Sequence, residues 1–223
     1  MIQISNVEIF GFKQAVMSAR NSWNSWDKSD TAWDVTKNGY PVIGESDISL
    51  IGKLSKAGHS HAKPRRKVQV YCDITAPLYW WKQMDTYKIG TNCDSTSTMH
   101  TITKKRFDIS DFSCEKLGRL EYEGKWVDFD DGLKRDIEEL NIARDIFRKA
   151  LADKREDIAE RAWWQIIQRL PSSYNQMRSM EFNYENLSAM YHDRKGHKLG
   201  EWHSFCEWIS VLPYARELII CKT

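Results

Sequence analysis

Residues 86–98 read TYKIGTNCDSTST and hold four Thr, two Ser, one Lys and one Asp. Short hydroxyls at this density do one of two jobs. In a turn they bond nearby backbone groups. Around a nucleotide they give neutral hydrogen bonds, with Lys88 adding an ammonium and Asp94 a carboxylate.

Other reactive residue types are less organised. The five cysteines, Cys72, Cys93, Cys114, Cys206 and Cys221, are odd in number and lack a CxxC pair. That argues against a disulfide framework or structural zinc, and for reduced thiols in the cytoplasm. His59 with His61, and His192, His197 and His203, have no acidic or thiol partner at ligand spacing, so no metal is expected. The basic runs KPRRK (63–67) and KKR (104–106) read as solvated loops or as phosphate contacts. The Trp pairs at 80–81 and 163–164 read as core or subunit contact, or as stacking platforms.

The elements that must position these residues follow from periodicity. Ile2, Ile4, Val7 and Ile9 predict a first strand with a slip near Asn6, followed by a helix over 12–23. Residues 24–45 read as a loop. Ser46 or Asp47 can cap a helix that Gly58 ends. Val68, Val70, Cys72 and Ile74 alternate as a half-buried strand. A helix then starts near Pro77 and frays before Gly90. Residues 100–130 look irregular, with a hairpin around Glu123-Gly124. Beyond 131 the helical period dominates: two amphipathic stripes up to Leu170-Pro171, a helix over 172–195, and another over 198–210. The pattern predicts a single domain, 1–223, mixing strands and helices, with a helical C-terminal half.

Composition sets the limits. The chain has 223 residues, ten of them Trp, and 41% of its residues are hydrophobic, enough for a real core. Its net charge of +2 gives no field that calls for nucleic acid. No apolar run approaches the length of a membrane span, and MIQISNVEIF is neither a signal peptide nor an anchor.

Three segments together resemble the flavin-dependent thymidylate synthase family, also called thymidylate synthase-complementing proteins. They are LIGKLSKAGH (50–59), APLYWWKQMDTYKIGTNCDSTST (76–98) and RLPSSYNQMRSMEFNYENLSAMYHDRKGHKLGEW (169–202). The second is similar to the family's A-P-x-x-x-x-R-Q segment and the R-H-R-x-x-S-x-N-E-x-S-x-R signature that follows it. Aligned without gaps from Ala76, Lys82 and Gln83 match Arg-Gln. Arg-His-Arg falls on Thr86, Tyr87 and Lys88, and the first serine on Thr91. Asn-Glu falls on Cys93 and Asp94, the second serine on Thr96, and the last arginine on Thr98. Three arginine positions thus hold one lysine and two threonines. A threonine cannot replace the bidentate fork that arginine offers a phosphate. Lys63, Arg65, Arg66 and Lys67 are available as replacements. In the third segment the family's asparagine falls on Asn183 and its nucleotide-contacting arginine on Arg194. The two are eleven residues apart, about three turns if one helix carries both, so they would share a face with Leu187 and Met190 between them. A buried face with Asn and Arg at its ends needs a polar partner, and a bound nucleotide would serve. Glu185 stands where the family has another arginine, and Ile167 where it has one before Leu-Pro, with Arg169 and Arg178 as nearby substitutes. His197 and Glu201 match a later His and Glu, and Leu199 replaces a glutamine.

The resemblance implies an α+β fold, a twisted and mainly antiparallel sheet packed against helices. It implies a cytoplasmic enzyme that converts dUMP to dTMP with FAD, taking a one-carbon unit from methylenetetrahydrofolate and reducing power from NADPH. It also implies a homotetramer with active sites between subunits. In that reading Thr96 and Arg194 are catalytic. Gln83, Thr96, Thr98 and Arg194 bind substrate, and Lys82, Thr86, Tyr87, Lys88, Asp94, Asn183 and His197 hold the flavin. The altered signature leaves two alternatives: a related flavoenzyme acting on another pyrimidine nucleotide, or a non-catalytic nucleotide-binding or interaction protein on the same fold.

Overall fold

The computed structural model describes residues 2–35 and 39–220, so Cys221 lies outside the described residues. The fold is α+β. In chain order come β1 (Gln3–Phe10), α1 (Phe12–Asn21), β2 (Ala32–Val35), β3 (Pro41–Val42) and α2 (Glu45–Lys56). β4 (Gln69–Pro77), α3 (Leu78–Met84), β5 (Asn92–Ser95) and α4 (Thr98–Thr101) follow, then the hairpin β6 (Arg119–Tyr122) and β7 (Lys125–Asp128). The rest is α5 (Phe129–Ala152), α6 (Glu156–Arg169), β8 (Asn175–Asn183), α7 (Tyr184–Arg194), α8 (Gly200–Ser210) and α9 (Ala215–Leu218).

The chain forms two compact units. The first comprises Thr75–Gln83 and Ser95–Met177. Its core is Ile102, Phe107, Phe112, Leu133, Leu140, Ala143 and Ile166, drawn in part from the apolar stripe of α5. Trp80 and Trp81 are fully buried, and Trp81 donates its indole N–H to the Gln176 carbonyl at 2.9 Å. In the other Trp pair, Trp163 packs against the core while Trp164 is exposed. The hairpin forms where Glu123-Gly124 predicts it. Both residues have positive φ, +49° and +74°, as a two-residue turn matched to strand twist requires. Asp128 then caps α5 by accepting from the Asp130 and Asp131 amides.

The second unit comprises Ile2–Ile74, Met84–Asp94 and Arg178–Thr223. Its sheet has the strand order β1-β4-β8-β5, although the ends of β4, β5 and β8 belong to the first unit. Asn6 adopts φ +51°, which accounts for the slip in the alternation of β1. The core of this unit holds Phe12, Ile51, Phe182, Tyr184, Leu187, Met190, Trp202, Phe205 and Ile209. Gly11, at φ +94°, lets α1 begin against the backbone of residue 67: a Cβ there would lie 1.9 Å from the Lys67 carbonyl oxygen.

Three sequence expectations are corrected. The helix over 172–195 is a strand followed by a helix, β8 then α7. Gln176, Met180 and Phe182 are buried on alternate positions, and that period of two overrides the helical reading. The loop over 24–45 carries the small antiparallel pair β2–β3. Gly44, not Ser46 or Asp47, precedes α2. Asp47 is instead drawn inward, fully buried beside Arg20.

Candidate functional site

The hydroxyl-rich stretch divides between the two units. In the second unit, residues 85–91 form the turn from α3 to β5. Thr91 donates its hydroxyl to the Tyr87 carbonyl at 2.5 Å and closes the turn. The turn docks on the start of α7, where Asn186 donates Nδ2 to the Ile89 carbonyl at 2.8 Å. Gly90, at φ +74°, permits that approach: a Cβ on it would lie 3.0 Å from Asn183 Nδ2. Asn183 is the N-cap of α7, and its Oδ1 accepts from the Asn186 amide at 3.0 Å. The shared helical face expected for Asn183 and Arg194 does not exist. Asn183 ends a strand, and Arg194 is the last residue of the helix that Asn183 starts.

Arg194 is half-buried and held from several sides. Its Nε donates to the Tyr87 hydroxyl at 2.9 Å. The guanidinium carbon lies 5.4 Å from the Tyr87 ring centre and 4.9 Å from that of Trp202. Such cation–π contacts fix the plane of the guanidinium. Tyr87 also donates to Asp193 Oδ2 at 3.3 Å. Burial pushes the Tyr87 pKa up, with Arg194 opposing, so the phenol stays neutral and can accept from the arginine. His197 lies beside the same Trp202, 6.4 Å between ring centres, and accepts the Leu199 amide on Nδ1. Loss of solvation, reinforced by the positive Arg194, lowers the His197 pKa and keeps the ring neutral. One residue of the turn and two from the C-terminal end of α7 are therefore brought together.

The remaining expected residues are placed as follows. Lys88 and Asp94 are exposed in the second unit, and neither side chain has a partner among the described residues. Thr86 is exposed in the same unit. Lys82, Gln83, Thr96 and Thr98 belong to the first unit. Lys82 is exposed and Gln83 half-buried. Thr96 donates both its amide and its hydroxyl to the Met177 carbonyl, each at 3.0 Å. Ser97 caps α4, which begins at Thr98, by accepting from the His100 amide. Thr91, Thr96 and Ser97 thus do the backbone work of a structured turn.

The replacement cations are less available than the sequence suggests. Arg65 is buried and donates Nε to Glu185 Oε2 at 2.7 Å, with further bonds to Ser188 and the Leu218 carbonyl. Arg178 pairs with Asp85 at 2.7 Å, and Arg169 with Glu139. Sequence reasoning missed the Arg65–Glu185 pair. The signal was present, since an acid at a family arginine position calls for a new basic partner. It also missed a shallow cavity of about 310 Å³ beside β5, lined by Glu8, Asp73, Cys93, Asp94 and Glu181 among others. Its charged lining is acidic, which disfavours an anion there.

No protein-family profile matches the chain, and no curated protein matches it. Solved structures do. Two crystal structures of thymidylate synthase X from Helicobacter pylori, with FAD and dUMP, align at 16% identity with TM-scores of 0.65 and 0.64. They cover 99% and 98% of this chain, and 98% and 100% of theirs. The UMP/dUMP methylase PolB from Streptomyces cacaoi, bound with 5-Br dUMP, aligns over 100% of this chain and 95% of its own. Its TM-score is 0.61 at 15% identity. At these identities the likeness is one of fold: the chain is built on the architecture of the flavin-dependent thymidylate synthases.

Proposed function

We propose that the chain is a flavin-dependent enzyme that acts on a deoxyuridylate-like nucleotide. The observation that carries this reading is the seating of Arg194, on a fold whose solved neighbours hold dUMP or its 5-bromo analogue. Tyr87 and Trp202 orient the guanidinium at the end of α7. A cation preoriented in this way loses little freedom on meeting an anionic ligand. Thr96, fixed by its two bonds to Met177, presents oxygen lone pairs to a base. Gln83 and Thr98 complete the proposed substrate set.

The residues fit a flavin in a specific way. Lys82 and Lys88 are exposed ammonium groups without an ion pair among the described residues, so cations for a pyrophosphate exist. Thr86 adds a hydroxyl and His197 a neutral ring. Asn183 and Tyr87 act as positioning residues, because their polar atoms cap α7 and hold Arg194. A bound flavin would supply hydride chemistry. The protein's part is to hold the nucleotide through Arg194 and to keep Tyr87 and His197 neutral beside it.

In its full form the proposal is conversion of dUMP to dTMP with FAD, methylenetetrahydrofolate and NADPH, by a homotetramer whose sites a second copy completes. A cytoplasmic setting agrees with the free thiols of Cys72, Cys93, Cys114 and Cys206. Non-catalytic nucleotide binding is the second reading. It is favoured by Thr86 and Thr98 at family arginine positions, which removes two anion-binding forks.

The test is to purify the full chain, record its visible absorption with and without added FAD, and titrate it with dUMP by calorimetry. The proposal expects a bound yellow cofactor and saturable dUMP binding. Binding of dUMP without flavin would select the second reading, and binding of neither would discard both.

A further inference from the structure

We propose that the second unit binds a single-stranded nucleic acid in the cleft between α1 and the basic turn Lys63–Lys67, with Trp23 and Trp26 as stacking platforms. The KPRRK run gives Arg65 to the pair with Glu185, and its other three cations have no role in the dUMP reading. The inference stands independently of that reading.

The charge is local. Between Asp47 and Asp73 the sequence holds six Lys and Arg and no acid, and between Glu8 and Asp27 it holds no acid either. The net charge of +2 averages this away. These two segments build the cleft, and the close approach of Gly11 to the Lys67 carbonyl holds its walls together. Its volume is about 620 Å³. One wall is a polar stripe of α1, Gln14, Ser18 and Asn21, spaced i, i+4 and i+7, while Phe12, Ala15, Val16 and Ala19 of the same helix are buried. The other wall carries Lys63, Arg66 and Lys67. Lys63 and Lys67 are exposed, and their ammonium groups have no partner among the described residues. Arg66 donates Nη2 to the His59 carbonyl at 2.7 Å, which orients the guanidinium and leaves it further N–H groups for a ligand.

Aromatic side chains continue the polar wall. Trp23 lies in the turn that leaves α1, two residues past Asn21, and is 85% exposed. Trp26 is also exposed, and its indole N–H donates to Asn21 Oδ1 at 2.9 Å, which pins the ring by its edge to a cleft-lining residue. Three features therefore meet in one place, and a single strand uses them all. A row of cations tracks successive phosphates, amides and a hydroxyl can both donate to and accept from sugar and base edges, and indole faces stack on bases. A duplex keeps its bases stacked inside and offers the indoles nothing. An anionic membrane would take the Trp and Lys side chains, but would strip water from Gln14, Ser18 and Asn21 without replacing their hydrogen bonds.

The experiment is fluorescence anisotropy of the full chain with a labelled oligoadenylate of about 12 nucleotides, in ribose and deoxyribose forms and as a duplex. Co-sedimentation with vesicles of phosphatidylserine and phosphatidylcholine is the membrane arm. Adenine is chosen because the proposed enzyme site takes a pyrimidine, so excess dUMP should not displace the strand. The native protein should bind the single strand saturably and at least tenfold more tightly than the duplex. The log of its affinity should fall against log salt concentration with a slope of about −2, as three phosphate contacts on a single strand require. Lys63→Gln combined with Lys67→Gln should reduce that slope to about −0.7. Trp23→Ala should weaken binding about tenfold at an unchanged slope, and Lys149→Gln, on α5 of the first unit, should do neither. Tighter binding of the ribose or of the deoxyribose strand supports the site and names RNA or DNA as its ligand. No single-strand binding, vesicle binding in its place, displacement by dUMP, a slope that the double variant leaves unchanged, or native affinity in Trp23→Ala would each overturn the proposal. The dUMP reading would stand in every one of these cases, because calorimetry with dUMP tests it separately.

Discussion

Arg194 and Tyr87, 107 positions apart, share a hydrogen bond of 2.9 Å from Nε to the phenol oxygen, with the guanidinium over the tyrosine ring. The pair ties the turn after α3 to the end of α7. It sets the direction in which the arginine can reach a ligand. Hydrogen bonds to a charged group contribute about 1.5–3 kcal/mol. Arg194→Ala should therefore weaken dUMP binding by roughly 10- to 100-fold. Tyr87→Phe keeps the ring and loses the hydroxyl, so it should cost only a few-fold. Calorimetry on both variants checks the order; a Tyr87→Phe loss as large as that of Arg194→Ala would contradict it.

Glu185 is held by Arg65, whose side chain is 3% exposed, and by His59 at 3.0 Å. Removing one partner of a buried ion pair leaves a charge uncompensated. Glu185→Ala should lower stability by about 3 kcal/mol, while Arg65→Met combined with Glu185→Leu should recover most of it. Urea denaturation measures both variants. Equal losses in the single and double variants would show that the ion pair itself stabilises the fold.

Asp47 predicts an acid dependence. Burial alone would raise its pKa, but hydrogen bonds from Ser29, Thr31 and Arg20 outweigh burial and hold it below its ordinary 3.8. The folded state thus binds this proton more weakly than the unfolded chain. Its contribution is complete above the ordinary value and is lost as pH falls through the lower folded one. Asp47→Asn should be less stable than the native protein at pH 7, and the two should converge below about pH 4. Denaturation midpoints across that range give the answer, and a gap that stays constant with pH would refute it.

Thiol reactivity should follow exposure. Burial pushes the Cys72 thiol up to about 12 and Cys206 up to about 11, so neither forms thiolate at neutral pH. Cys93 is exposed on β5. Of these three, iodoacetamide should label Cys93 first, with Cys72 and Cys206 protected until the protein unfolds. Peptide mass spectrometry reads the order directly, and early labelling of Cys72 would count against the packing of β4.

Gly90 and Asn183 form a coupled pair at the start of α7. Asn183→Ala removes a cap and should cost about 1 kcal/mol. Gly90→Ala places a Cβ 3.0 Å from Asn183 Nδ2 at a positive φ, and should cost a further 1–2 kcal/mol or about that. The double variant should lose less than the sum, because Asn183→Ala also removes the atom that Gly90→Ala would meet. Strict additivity in thermal denaturation would show that the turn does not rest on the cap.

Long periodic elements were legible in the sequence. The stripe Leu133, Ile137, Leu140 marks α5, the alternation from Val68 to Ile74 marks β4, and Glu123-Gly124 marks the hairpin turn. The segment 172–195 was misread because it holds two elements, and its apolar residues satisfy either period over short windows. Only the inward alternation of Gln176, Met180 and Phe182 separates them, and burial of a polar Gln is not a sequence signal. Arg194 was legible as a candidate for binding. Its seat between Tyr87 and Trp202 was not, because all three come from different elements. The pairing within KKR was hidden for the same reason: the run does not say that Asp111 will claim Lys105 and Asp145 will claim Arg106.

The central claim is that one protein holds flavin and nucleotide in the same site. The most direct measurement is a difference spectrum of the flavin-loaded protein on addition of dUMP. The account predicts a saturable shift of the flavin band that Arg194→Ala moves to higher dUMP concentration. A flavin spectrum indifferent to saturating dUMP, or a chain that retains no flavin, would contradict it.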